Sequence, residues 1–149
     1  MSKNKPRKQN NSRLPIVAVN AVIINDDNHF VLTKRADTGM WCLPGGLVEF
    51  GETIQDATIR EVREEIGVEC MIEKLVGIYS INNKNDMPVT KSNSIIIAFR
   101  CRIKQGTPGL SEEVTEVAFF SVENIPDTII KNQKVRIMHA LHEEQPIIE

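Results

Sequence analysis

Five glutamates fall between positions 49 and 65 of this sequence: Glu49, Glu52, Glu61, Glu64 and Glu65. The last three stand at i, i+3 and i+4. A helix advances roughly 100° per residue, so on a helix these three share one arc. Carboxylates placed this way repel one another, and burial raises the penalty. A hard divalent cation removes it. Mg²⁺ takes carboxylate and water oxygens and commonly bridges to phosphate oxygens, which makes phosphate chemistry the natural use of such a cluster. Gly45, Gly46 and Gly51 flank the group and would let the chain turn sharply and let an ion or substrate approach the backbone. Taken on the helix alone, an ordinary solvated acidic face is an equally open reading.

The elements that must position these residues are legible in part. Thr53 followed by Asp56 resembles a capping box, and Gly67 suits the left-handed residue that ends a helix, so a helix is predicted over 53–66. Its Ile59, Val62 and Ile66 would face a sheet. Ala57 would lie over the acidic arc, small enough to leave the approach open, and Arg60 and Arg63 would lie outside that arc. The run 16–24 is apolar and β-branched, the mark of a strand buried on both faces. Asn25 to Asn28 reads as a turn and 29–35 as the returning strand. Further strands are predicted over 70–81, 93–103 and 113–122. The segments 36–40, 82–92 and 105–110 read as loops. A closing helix is predicted over 131–142, with Val135, Met138 and Leu141 as an approximate apolar stripe. Strands on either side of one central helix, with a second helix at the end, predict an α/β (α+β) fold in which a mixed sheet packs between helices.

The chain has 149 residues, 41% hydrophobic and 26% charged, with a formal net charge of -2. That suits one soluble domain over 14–149 and gives no reason to expect a membrane or a polyanion as partner. Residues 1–13 hold five basic and no acidic side chains and read as a disordered tail. No apolar signal region is apparent at the N-terminus. Cys42, Cys70 and Cys101 are widely spaced and form no CxxC pair, so they are expected to be reduced, mostly buried thiols, which points to a cytoplasmic protein. His29, His139 and His142 have no metal-ligand spacing and are expected at the surface or an edge.

The segment Gly46 to Val68 resembles the signature box of the Nudix hydrolases, G-x5-E-x7-R-E-U-x-E-E-x-G-U with U aliphatic. Gly46, Glu52, Arg60, Glu61, Val62, Glu64, Glu65, Gly67 and Val68 fill all nine specified positions. At ordinary residue usage a chance match is on the order of 10⁻⁷. Trp41-Cys42-Leu43-Pro44-Gly45-Gly46 resembles the approach to the box common in this family, and Glu116 to Phe120 with Ile125-Pro126 resembles its last strand and exit. The resemblance implies an α/β/α sandwich with a mixed sheet from Pro15 to about Leu141. It also implies hydrolysis of a P–O–P linkage with Mg²⁺, or Mn²⁺, as cofactor. Glu61, Glu64 and Glu65 would be the metal-facing carboxylates, Glu61 also a candidate general base, and the Gly45 carbonyl a further ligand. Arg60 and Glu52 would orient the catalytic loop and helix. One more acidic ligand is expected from Glu112, Glu113 or Glu116, with Glu113 preferred. An alkaline pH optimum is expected.

The partner so implied is a small nucleotide, most directly a nucleoside triphosphate in the manner of MutT. ADP-ribose or a nucleotide sugar is the alternative. The ADP-ribose branch often carries a proline about sixteen residues past the box, where this chain has Lys84, its nearest proline being Pro88. A nucleotide-sensing module without catalysis, and an enzyme acting on RNA 5′ ends, are two further readings. All box carboxylates are present, which disfavours the first, and the pI near 6.0 disfavours the second. Trp41, Phe50 and Tyr79 could stack on a base, but core packing is the plainer expectation for each. Family members are often homodimers, and that too is carried by resemblance alone.

Overall fold

A computed structural model of the chain describes residues 14–82 and 93–149. The predicted N-terminal tail, Lys84 and Pro88 lie outside the described residues. Ten regular elements matter here. β1 spans Ile16–Ile23, β2 Phe30–Arg35, β3 Trp41–Cys42, β4 Gly45–Leu47, α1 Ile54–Ile66, β5 Glu69–Ile81, β6 Ser94–Gln105, β7 Val114–Phe120, α2 Gln133–His142 and β8 Ile147–Ile148. No described helix is long and apolar enough to cross a membrane.

The strands form a five-stranded sheet in the order β4-β1-β6-β5-β8 and a three-stranded sheet in the order β3-β2-β7. In the larger sheet β1 runs parallel to β6 and antiparallel to β4, while β5 is antiparallel to β6 and parallel to β8. The sheet is therefore mixed, as predicted. Alternation along β1 explains the layers. Val22 joins one buried cluster with Ile137 and Ala140 of α2, whereas Ala21 and Ile23 join another with Val62 and Ile66 of α1. A strand with apolar residues on both faces needs cover on both, and the two helices supply it. Each such aliphatic side chain, fully buried, contributes about 1.5–3 kcal/mol relative to exposure.

The second sheet was not anticipated. After the turn at Asn25 to Asn28, where Asn28 adopts a positive φ of 58°, only the bridge Ile24–Phe30 joins the two flanks. The chain then leaves the first sheet, and β2 pairs with β3 and β7 instead. β3, β4 and β8 are two or three residues long and carry no alternating pattern that would reveal them. In α2 the buried face is Gln133, Arg136, Ile137 and Ala140 rather than the predicted stripe, and Val135 is exposed. Two polar residues on the inner face hid its period.

Candidate active site

β4, the loop after it and α1 form one local unit. Gly45 pairs with Asn20 of β1 and passes so close that a Cβ there would lie 2.0 Å from the Val19 carbonyl oxygen. At Gly46 a Cβ would meet the Glu61 carboxylate at 2.5 Å. The paired glycines thus let β4 lie directly against β1 and against a glutamate of α1. Both ends of α1 are capped as predicted. Thr53 Oγ1 accepts a hydrogen bond from the Asp56 amide at 3.1 Å, and Gly67, at φ 72°, donates to the Arg63 carbonyl at 3.0 Å. These caps set the phase of the helix and so place the acidic side chains.

Arg60 lies at the centre of the acidic group rather than outside it. Its Nε donates to Glu52 Oε2 at 3.0 Å and its Nη2 to Glu52 Oε1 at 2.7 Å, a two-pronged pair, and Nη2 also donates to the Leu47 carbonyl at 3.0 Å. Nη1 donates to Glu61 at 2.9 Å and to Glu64 at 3.2 Å. The sequence reading took the direction of the Cα–Cβ bond as decisive, whereas a long arginine reaches its i+1 and i+4 neighbours. Glu52 also accepts from the Glu49 amide at 2.7 Å. Arg60 first, and then that amide, holds the Glu52 carboxyl down at about 2. The guanidinium itself is raised by the same contacts.

Glu65 is only 9% exposed, and burial followed by the nearby Glu61 pushes its carboxyl up to about 8, against the opposing Gly45 amide. Burial also raises Glu61, despite Arg60. Glu113 adds to the upward push on both, so three acidic groups from α1 and the start of β7 feel one another. Glu112 borders the same cleft. Glu116 does not approach; it pairs with Lys34 at 3.2 Å on the surface. Glu64 is largely exposed. Among the described residues no three His, Cys, Asp or Glu side chains already converge as a metal cluster, and Arg60 occupies the space between Glu61 and Glu64. The donors are nonetheless hard oxygens, and Glu65 has no cationic side chain within ion-pair distance among the described residues. A buried carboxylate left in this condition needs a proton or a cation.

A cleft of about 500 Å³ opens beside this group, bordered by Gly45, Gly46, Glu65 and Glu113 on one side. Asn20, Ile81, Ile96, Gln133 and Arg136 border the rest. Arg35, also at the cleft, is clamped to Asp37 at 2.9 and 2.7 Å. Gln133 Oε1 accepts from the Leu43 amide at 2.6 Å. Arg136 donates from Nη1 to Asn20 Oδ1 at 2.8 Å and lies 5.2 Å over the Tyr79 ring; burial lowers its pKa to about 10. Sequence reasoning singled out none of Asn20, Arg35, Gln133 and Arg136. The one available signal was that Gln133, Arg136 and Ala140 sit at helical spacing with the buried Ile137.

Of the aromatic residues, Tyr79 is buried and bonded to His139 Nδ1 at 2.8 Å, and Trp41 packs edge-on against Phe120. Phe50 is fully exposed, contrary to the core role expected of it. His139 is tied into the core edge by Tyr79. All three cysteines are free and buried.

The NUDIX domain profile matches residues 14–141. A MutT-like protein of Streptomyces ambofaciens is 30% identical over 138 residues, 93% of this chain and 84% of its own length. An ADP-ribose pyrophosphatase of Methanocaldococcus jannaschii is 33% identical over 124 residues, 81% of this chain and 70% of its own. Among solved structures, an ADP-ribose pyrophosphatase from Streptococcus suis superposes with a TM-score of 0.71 at 27% identity, covering 91% of this chain and 98% of that one. The signature segment, the layered sheets and relatives spanning most of the sequence agree: the chain belongs to the Nudix hydrolase family.

Proposed function

We propose that this hydrolase splits the diphosphate linkage of a nucleoside triphosphate, releasing a nucleoside monophosphate and pyrophosphate, with Mg²⁺ or Mn²⁺ as cofactor. The observation that carries the hydrolytic site is the buried, mutually repelling pair Glu61 and Glu65 at the glycine-lined edge of the cleft. Glu61, Glu64 and Glu65, with the Gly45 carbonyl and Glu113, would hold the cation. Bound there, it would neutralise phosphate oxygens and make water more acidic.

The residues of the chain divide the remaining work. Gly45 and Gly46 leave room for the phosphates against the backbone. Arg60 and Glu52 act as positioning residues, fixing the loop to the helix. Glu61 is the candidate base, with a pKa raised by burial toward the range in which a carboxylate exchanges protons efficiently. Water oxygen bonds to a phosphorus atom, the bridging P–O bond breaks, and the water proton passes to Glu61 and then to solvent. The pyrophosphate leaves with the bridging oxygen.

The triphosphate reading is supported by the MutT-like relative and by a nucleoside triphosphatase, NudI, of Escherichia fergusonii, 31% identical over 120 residues. The relatives named ADP-ribose pyrophosphatase favour a second reading, cleavage of ADP-ribose to AMP and ribose phosphate. Incubation with nucleoside triphosphates, ADP-ribose and nucleotide sugars, with products identified by mass spectrometry, separates them. Monophosphate plus pyrophosphate supports the first reading; AMP plus ribose phosphate from ADP-ribose alone replaces it with the second.

A further inference from the structure

Arg136 is 3% exposed, although a guanidinium carries five N–H donors and no acceptor. Its one hydrogen bond among the described residues is the Nη1 contact to Asn20. Its Nε has no acceptor at all, and no carboxylate lies within ion-pair distance among the described residues. Leaving a buried charged donor unpaired is costly, and a fold that keeps one at a cleft has a reason to. Gln133 borders the same region and commits its oxygen to the Leu43 amide, so its remaining polar atom is also a donor. This end of the cleft therefore offers donors between apolar walls, Ile81 and Ile96.

Asn20 links the two ends. It pairs with Gly45 in the sheet and accepts from Arg136. A nucleotide whose phosphates lie along Gly45, Gly46 and Glu65 would bring its far end toward Arg136. A second phosphate would have to shed its water between two isoleucines, whereas a planar base would not. Adenine presents an amino donor beside N7, which faces the Arg136 donors unfavourably. Guanine and hypoxanthine present O6 and N7, two adjacent acceptors that match the arginine fork.

We propose that Arg136 is a specificity-determining residue that receives the O6/N7 edge of a 6-keto purine, so that the preferred triphosphate carries guanine or hypoxanthine. This rests on the triphosphate reading above. The test compares kcat/KM for GTP, ITP and ATP in the wild type, Arg136→Met and Arg136→Lys, alongside calorimetric binding of GMP and AMP without hydrolysis. GTP and ITP should exceed ATP by about 10-fold or more, chiefly through KM. Arg136→Met should bring the ratio within about 2-fold, and Arg136→Lys, which keeps the charge but not the fork, should fall between. Equal turnover of GTP and ATP by the wild type, or a preference unchanged in Arg136→Met, overturns the proposal and leaves the triphosphate reading intact. Failure to hydrolyse any triphosphate, with GMP still bound about 10-fold tighter than AMP, would retain the base subsite and remove the triphosphate reading. Should Arg136→Met not fold, the wild-type ratio and Arg136→Lys decide the matter.

Discussion

Glu65→Gln in metal-free buffer isolates the electrostatic strain on which the site depends. The unfolded chain titrates Glu65 near 4.5, and the fold raises it to about 8. Between those values the folded state holds a proton that the unfolded state releases, so stability falls as pH rises through the interval. At about 1.4 kcal/mol per pH unit, the interval sets an upper bound of about 5 kcal/mol. Relaxation and water entry around a carboxylate that is 9% exposed reduce the expected loss to about 2–4 kcal/mol. Glutamine keeps the shape and removes the charge. Urea denaturation, followed through Trp41 fluorescence at pH 5.5, 7.0 and 8.5, measures both proteins. The wild type should lose about 2–4 kcal/mol relative to the variant between the lowest and highest pH. Mg²⁺ at pH 8.5 should then restore the wild type, by about 2.7 kcal/mol at one hundred times its Kd, and leave the variant nearly unmoved. Parallel stability curves for the two proteins would refute the reasoning, because a carboxylate that costs nothing to ionise is not waiting for a cation.

Two further outcomes follow from the same geometry. Gly46→Ala places a Cβ 2.5 Å from the Glu61 carboxylate; the side chain can swing away, so the melting temperature should change little while kcat falls about 100-fold. A large loss of stability with normal kcat would show that Glu61 is not where the chemistry needs it. The kcat/KM of the wild type should rise between pH 6 and pH 9, since Glu65 titrates at about 8 and Glu61 is also raised; a flat profile would contradict this.

The acidic segment was readable because its signals are local. Thr53, Gly67 and the spacing of Val62 and Ile66 define a helix within one stretch of chain, and the glutamates take their places from it. Strand existence was readable for the same reason, since β1, β5 and β6 are long and rich in aliphatic residues. The partition into two sheets was not, because whether Phe30 to Arg35 returns to β1 or pairs with β7 depends on contacts more than eighty residues apart in sequence, such as Lys34 with Glu116. Side-chain reach was also misjudged. Arg60 was assigned by helical angle alone, although its length brings the guanidinium among Glu52, Glu61 and Glu64. Ala57, expected to keep the acidic arc open, is instead fully buried. The far end of the cleft was invisible because Asn20, Gln133 and Arg136 come from β1 and α2, where an isolated polar residue in an apolar strand or helix reads as an interruption.

The most direct test of the catalytic assignment is the rate of triphosphate hydrolysis as Mg²⁺ is titrated, in the wild type and in Glu64→Gln. Glu64 is 59% exposed, so this variant should fold and melt like the wild type. The wild type should be inactive without the cation and saturate as it is added, while the variant should lose about two to three orders of magnitude in kcat at any Mg²⁺ concentration. Wild-type turnover that persists in chelator, or a variant that matches it, would contradict the assignment of this acidic helix face as the catalytic centre.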